Sequence, residues 1–231
     1  METAPKLPRL TLKNEWLPLL FLVACWALAG WYWPQLPRRI PTHWGINGQP
    51  NGWMDKPWGV ILGPTVATFV YVLLTAIPYL DPRRRNWPIT LQMYPVLKNA
   101  MAALLLLITY LALSAAARPT QQLHENLLIL ATGLFFMVLG NYLPKVRSNF
   151  FIGVRTPWTL SSDVVWERTH RIVGRLFVLG GALMAGSAAL PGLVSFAMII
   201  AVTSGIALFA LFYSWWLYQR LAELEPPTRP D

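Results

Sequence analysis

Two polar segments of this 231-residue chain hold most of the residues able to do chemistry. The longer is Gly140–Arg175, reading GNYLPKVRSNFFIGVRTPWTLSSDVVWERTHRIVGR. Within it, Asn149, Gly153, Arg155, Thr156, Pro157, Trp158, Trp166 and His170 stand close together. Arginine offers a planar fork of donors, and indole and imidazole rings add flat faces with a polar edge, so this mixture suits noncovalent recognition. The other segment runs from Leu36 to Lys56 and contributes His43, Trp44, Asn47, Gly48, Trp53, Asp55 and Lys56. His43 and Asp55, with the more distant His124 and Glu125, are the residue types that hold a divalent metal. Their spacing matches no ligand signature, and a structural cap with a hydrogen-bonded His43 is the favoured reading, so no metal is assigned.

Catalysis finds little footing. His124-Glu125 lacks the second histidine of a zinc-protease helix. No glycine-flanked serine elbow and no phosphate-binding glycine loop is present. Acid–base chemistry needs titratable groups in mutual reach, and the apolar runs contain no Asp, Glu, Lys, Arg or His. Neither an enzyme nor a cofactor is expected. The same lack weighs against ion-coupled transport, which shows ionisable groups inside the membrane.

The elements that must position these segments are apolar. Hydrophobic residues make up 55% of the chain and charged residues 13%, against about 25% charged in soluble domains; mean hydropathy is +0.43. Six uncharged runs stand out: Trp16–Trp33, Trp58–Leu80, Ala100–Ala117, Leu127–Leu143, roughly Leu176–Leu190, and Leu193–Tyr218. A spanning helix needs about 17–25 residues, so the expected fold is an all-α integral membrane protein with six transmembrane helices. Pro191-Gly192 separates the last two. The basic N-terminus is not followed by a short apolar core and a small-residue cleavage site, so the first run reads as an uncleaved anchor. Cys25 lies within it and has no partner for an intrachain disulfide; it reads as a small buried apolar residue.

The net charge of +9 encodes orientation. Of the nineteen Lys and Arg residues, fifteen fall in the N-terminal tail, after runs two and four, and in the C-terminal tail. Positive loops stay in the cytoplasm. Both termini are therefore expected there, with Pro34–Pro57 and Arg118–Asn126 outside and Asp81–Asn99 and Pro144–Arg171 inside. The charge further attracts anionic headgroups, and no direct nucleic-acid role is expected. Trp16, Trp31, Trp33, Trp58, Trp215 and Trp216 sit near span ends, as an interfacial belt does. The chain divides into a two-helix region with an ordered outer loop (1–95), a third helix with a short outer loop (96–126), and a C-terminal region (127–231).

Local signals shape the two polar segments. Asn47-Gly48 and Asn51-Gly52 are turn dipeptides, and Ile40–Trp44 and Gly52–Met54 are suited to pair as a hairpin across them. In the other segment, Pro144 ends the fourth helix. Asn149 and Gly153 favour turns, and Pro157 keeps Thr156 extended. Thr159, Ser161 and Ser162 are able to cap a helix opened by Asp163. Asp163–Arg171 is amphipathic, with an attractive Glu167/Arg171 pair, and is expected to ride the headgroups before turning into the fifth span. Arg155 is expected to tie the preceding turn to this helix. The segment reads either as a solvated interfacial helix or as a binding surface. The stretches Tyr79–Trp87 and Tyr142–Phe150 echo one another, each placing Tyr-Leu, Arg and Asn-aromatic at similar intervals. They read as a duplicated unit or, preferably, as two similar ways of ending a helix. Gly181/Ala185, Ala182/Gly186 and Gly133/Gly140 give small faces for close helix packing, within one chain by preference or in a homodimer.

GNYLPKVRSNFFIGVRTPWTLSSDVVWERTHRIVGRLFVLGG resembles the signature of the bacterial SdpI family over about 40 residues. LPRRIPTHWGINGQPNGWMDK, continuing into Pro64, resembles the uncharacterised N-terminal domain that often precedes it. Ser148 departs from the family's proline before the asparagine, which is expected to loosen the turn. The resemblance implies a multi-pass protein of the bacterial cytoplasmic membrane that protects its producer against a secreted peptide toxin; the small helix faces leave it monomeric or homodimeric. The resemblance also implies signalling by holding a transcriptional repressor at the membrane. The outer loop is then expected to meet the toxin and the cytoplasmic segment the repressor. A transporter or a helper subunit of a membrane complex is the alternative.

Overall fold

The computed structural model describes residues 11–45, 49–118 and 124–224. Helix α1 (Leu12–Tyr32) runs into a 3-10 turn and then into strands β1 (Arg39–Trp44) and β2 (Pro50–Asp55). Next come α2 (Trp58–Leu80), the short α3 (Trp87–Thr90), α4 (Tyr94–Ala117) and α5 (Glu125–Tyr142). The one-turn α6 (Pro157–Ser161), then α7 (Asp163–Ser187) and α8 (Gly192–Leu224), complete the chain. Five of these helices, α1, α2, α4, α5 and α8, are long and apolar enough to cross a membrane. The chain is a multi-pass, all-α membrane protein. All six tryptophans expected near span ends are exposed.

The sixth expected span is not an element of its own. Leu176–Leu190 forms the second half of α7, whose first half is the expected interfacial helix. No turn separates the two. Residues 172–178, IVGRLFV, contain no proline, and Gly174 is used for packing, so the helix continues for 25 residues, about 37 Å at 1.5 Å per residue. The break before α8 is real: α7 ends at Ser187, and the Ser195 hydroxyl donates to the Ser187 carbonyl at 2.6 Å to close the corner.

Small residues set the tightest helix contact. A Cβ on Gly133 would lie 2.5 Å from the Ala185 nitrogen and 2.6 Å from the Gly181 oxygen; one on Gly140 would lie 2.5 Å from the Gly174 oxygen. Helices α5 and α7 therefore pack antiparallel with their backbones nearly touching, and Phe136 stacks on Phe177 at 5.2 Å. The Gly181/Ala185 face thus works within the chain. Gly186 is different, with nothing within 4 Å of its Cβ position.

A second group comprises α1, α2 and α4, and it corrects the expectation that the spans hold no titratable group. Helices α1 and α4 begin before their apolar runs and so include Glu15 and Lys98, both buried. The Lys98 ammonium donates to both Glu15 carboxylate oxygens at 2.5 and 2.6 Å, and the Tyr71 hydroxyl of α2 donates to the same carboxylate at 3.1 Å. Hydropathy marks the stretch that must face lipid. A charge that meets its opposite on a neighbouring helix escapes that rule.

The expected hairpin is present. Ile40 faces Met54 and Pro41 faces Trp53, with an irregular register around His43, which pairs with Gly52. Ile40 plugs the hairpin into a core of Ala29, Leu36, Val60, Leu113 and Ala116. Gly59 lets α2 approach, since a Cβ there would lie 2.9 Å from the Ile40 Cβ.

Candidate functional site

The polar segment from Leu143 to Thr169 folds into one ordered block, and its shape follows from its turn residues. After a 3-10 turn at Leu143–Lys145, the Asn149 side chain organises the loop. Its Oδ1 accepts the Phe151 and Ile152 amides at 2.8 and 2.7 Å, and its Nδ2 donates to the Arg147 and Ile152 carbonyls at 2.9 and 3.0 Å. Such a side chain imitates a backbone turn. Gly153 follows at φ +113, a conformation L side chains rarely adopt.

That glycine brings the chain against α7. The Val154 N–H donates to His170 Nε2 at 2.9 Å, and the His170 Nδ1–H donates to the Trp166 carbonyl at 2.8 Å. Both ring nitrogens are occupied by the neutral form alone, because Nε2 must accept. The ring stacks on Trp166 at 4.0 Å between centroids, and the indole N–H donates to the Val146 carbonyl at 2.8 Å. Burial pushes the His170 pKa down to about 4, offset in part by the bond to Trp166. Thr156 stays extended before Pro157 and forms a reciprocal capping box with Thr159 that opens α6. Its hydroxyl also donates to Ser214 of α8 at 3.0 Å. Ser162 then caps α7.

Asp81, Arg83 and Asn86, which the motif reading passed over, hold this block from the end of α2. Asp81 is fully buried, and its carboxylate accepts the Arg83 amide at 2.7 Å and the Phe150 amide at 3.0 Å. The Arg83 guanidinium donates to Ser148 Oγ and to the Leu160 carbonyl at 2.7 Å, and lies over the Phe150 ring. Asn86 donates to the Ser148 carbonyl at 2.6 Å. The two echoing stretches are thus bonded to each other. Ser148 does not loosen the turn: it is buried and accepts from Arg83. Phe151 and Ile152 pack on a core of Ile77, Trp87 and Tyr94.

Arg155 corrects another expectation. It donates to the Phe150 carbonyl at 2.7 Å within its own loop. The tie to α7 is made instead by Arg147, which pairs with Glu167 at the surface. Of the eight residues singled out here, Asn149, Thr156, Trp166 and His170 are buried and bonded internally. Gly153 and Trp158 are half-buried, and Arg155 and Pro157 are exposed.

The hairpin segment is arranged differently. His43 Nδ1 meets Asn51 Oδ1 at 2.5 Å. Lys56 donates to the Trp33 carbonyl at 2.5 Å and lies 4.6 Å from the centre of its ring. Trp53 and Asp55 are exposed, and Trp44 is half-buried. Asn47 and Gly48 lie outside the described residues. Among the described residues no group of three or more His, Cys, Asp or Glu comes together to hold a metal. A cavity of about 390 Å³ opens beneath β1 between α2 and α4, walled by Ile40, Val60, Leu105 and Thr109 with His43 at its rim.

Comparison with known proteins follows these two segments. Residues 145–214 match the model of the SdpI/YfhL protein family. Residues 20–79 match that of a domain of unknown function, DUF1648. "Immunity protein SdpI" of Bacillus subtilis (strain 168) is 27% identical over 152 residues, covering 65% of this chain and 69% of that protein. No solved structure matches. The match to the SdpI/YfhL model thus lies on the second segment and α7–α8, and the hairpin segment falls in the separate domain of unknown function.

Proposed function

We propose that this SdpI-like chain is a non-enzymatic immunity protein of the bacterial cytoplasmic membrane, which protects its producer against a secreted peptide toxin and reports by holding a transcriptional repressor at the inner surface. The observation that carries this reading is the similarity to the Bacillus immunity protein over 65% of the chain. In this reading the chain crosses six times, the apolar half of α7 making the sixth pass, with both termini cytoplasmic. The skew of fifteen of nineteen Lys and Arg residues to one side supports that orientation.

The hairpin is the toxin-facing surface, with exposed Trp53 and Asp55 as contacts. The block around α6 is the repressor-facing surface. Arg155, Pro157 and Trp158 make contact there, while Asn149, Gly153, Thr156, Trp166 and His170 give it shape. The test is peptide challenge of a sensitive bacterium expressing wild type, Trp53→Ala or Trp158→Ala at equal membrane abundance, with repressor localisation scored alongside. Trp53→Ala should lower survival; Trp158→Ala should release the repressor with survival largely kept. Wild-type cells as sensitive as cells lacking the protein would end the immunity reading.

The Glu15–Lys98 pair favours ion-coupled transport as a second reading, because ionisable groups inside a membrane mark transport paths. Full protection by a folded Glu15→Gln/Lys98→Met variant would remove it.

A further inference from the structure

Helix α7 turns one face away from the rest of the fold along its length. Arg168, Arg171, Arg175, Leu179, Ala182 and Gly186 recur at three- and four-residue intervals and so share that face. The three arginines are exposed, and among the described residues none of them has a hydrogen bond or an ion pair. The neighbouring carboxylate of Glu167 is taken by Arg147. Further along, the face is apolar: Leu179 is 63% exposed and nothing comes within 4 Å of the Gly186 Cβ position.

The level of the membrane surface on α7 is fixed by its neighbours. Thr156 bonds to Ser214, which is followed on α8 by the exposed Trp215 and Trp216, with Arg220 over the Trp216 ring. Indoles with a neighbouring cation mark the headgroup layer. The loop carrying Thr156 also bonds to His170 through the Val154 amide. Arg171 therefore stands at headgroup level, with Arg168 about one turn outward and Arg175 about one turn toward the hydrocarbon. Arginine stems are long enough to bring all three guanidiniums to that layer by snorkelling. Three like charges at this spacing repel one another, and a phosphodiester accepts paired donors from guanidinium forks.

We propose that Arg168, Arg171 and Arg175 form a binding site for the headgroup of an anionic phospholipid whose acyl chain lies along Leu179 and Ala182. The lipid is favoured over an acidic protein because the charged stripe passes without a break into a face that only hydrocarbon can cover. A zwitterionic lipid brings the same phosphate with a cation attached, so the site selects for net negative charge.

The test uses the full chain in nanodiscs of phosphatidylcholine, titrated with phosphatidylglycerol, with retained lipid read by native mass spectrometry. Wild type should keep phosphatidylglycerol in preference to phosphatidylcholine. Arg171→Gln should weaken it about fivefold, and the triple Arg168→Gln/Arg171→Gln/Arg175→Gln variant should abolish the preference, with a steep salt dependence in wild type. Arg84→Gln/Arg85→Gln should leave it intact. Circular dichroism and thermal unfolding check the triple variant, and the single Arg171→Gln variant carries the test if the triple does not fold. Equal retention by wild type and Arg171→Gln, no preference over phosphatidylcholine, full competition by millimolar inorganic phosphate, or equally tight binding of an acidic peptide in pure phosphatidylcholine would each overturn the proposal.

Discussion

His170 shows how one side chain makes a loop depend on pH. Its folded pKa, about 4, lies below the ordinary 6.5, so the native state binds the proton less well than the unfolded chain. Its contribution to stability is complete above pH 6.5 and is lost as pH falls through 6.5 toward 4, with a slope of at most about 1.4 kcal/mol per pH unit. Protonation also removes the acceptor for the Val154 amide. Detergent-solubilised wild type should unfold at a lower temperature at pH 5 than at pH 7.5, and His170→Gln should show a smaller difference. Equal pH dependence in both would show that the ring does not control the loop. Gly153 is the companion case. Alanine there would face about 1–2 kcal/mol of backbone strain and collide with His170 Nε2. Gly153→Ala should therefore lower the midpoint more than Gly186→Ala, where the space is open.

Helix ends and turns were legible in the sequence, because the signals for them are local. Pro144, the Thr156–Pro157 step, the Ser162 cap and the Pro191 break act within four residues of themselves; the hairpin was expected too, although Asn51-Gly52, expected as a turn, lies within β2, and Asn47-Gly48 lies outside the described residues. Long-range ties were not legible. Asp81 to Phe150, Arg83 to Leu160 and Glu15 to Lys98 join residues 69, 77 and 83 positions apart, and no periodicity encodes such distances. The charged first half of α7 hid its continuity for a related reason: composition divides what hydrogen bonding joins. The Glu15–Lys98 tie links α1 to α4, and its worth lies in the pairing. Lys98→Met alone leaves a buried carboxylate and should cost about 3–5 kcal/mol, whereas Lys98→Met with Glu15→Leu should recover most of that loss. Unfolding in detergent measures both; a double variant no better than the single would show that packing, and not charge, holds these helices. Asp81→Ala should act on the other tie by removing the acceptor of two part-buried amides, at roughly 1–3 kcal/mol, and should expose the 147–156 loop to protease.

For the whole molecule the open quantity is orientation; packing decides which helix ends lie together, and charge is the ground for choosing a side. Helices α5 and α7 run antiparallel through Gly133/Gly181 and Gly140/Gly174. The far end of α7 is joined to the start of α8 by Ser195 and Ser187, and the loop that bonds to His170 of α7 through Val154 is joined to α8 by Thr156 and Ser214. These ties support the proposed sixth pass through α7 despite its charged half. In the proposed six-pass reading, alternate directions through α1, α2, α4, α5, α7 and α8 bring Leu12 and Leu224 to one side, the side holding the 143–162 block and most of the basic residues. Lys and Arg cross a membrane poorly during insertion, which is the ground for proposing that side as the cytoplasmic one, with the hairpin outside. A cysteine at Asn51, exposed on β2, in a Cys25→Ser background should then react with an impermeant thiol reagent on intact cells. A cysteine at Ser161, exposed at the end of α6, should react only after lysis. Labelling of both from outside would mean that one of α2, α4 and α5, the three helices between these positions, does not cross, and would end the six-pass reading. The reverse pattern would invert the whole molecule, and the toxin-facing and repressor-facing surfaces would have to be exchanged.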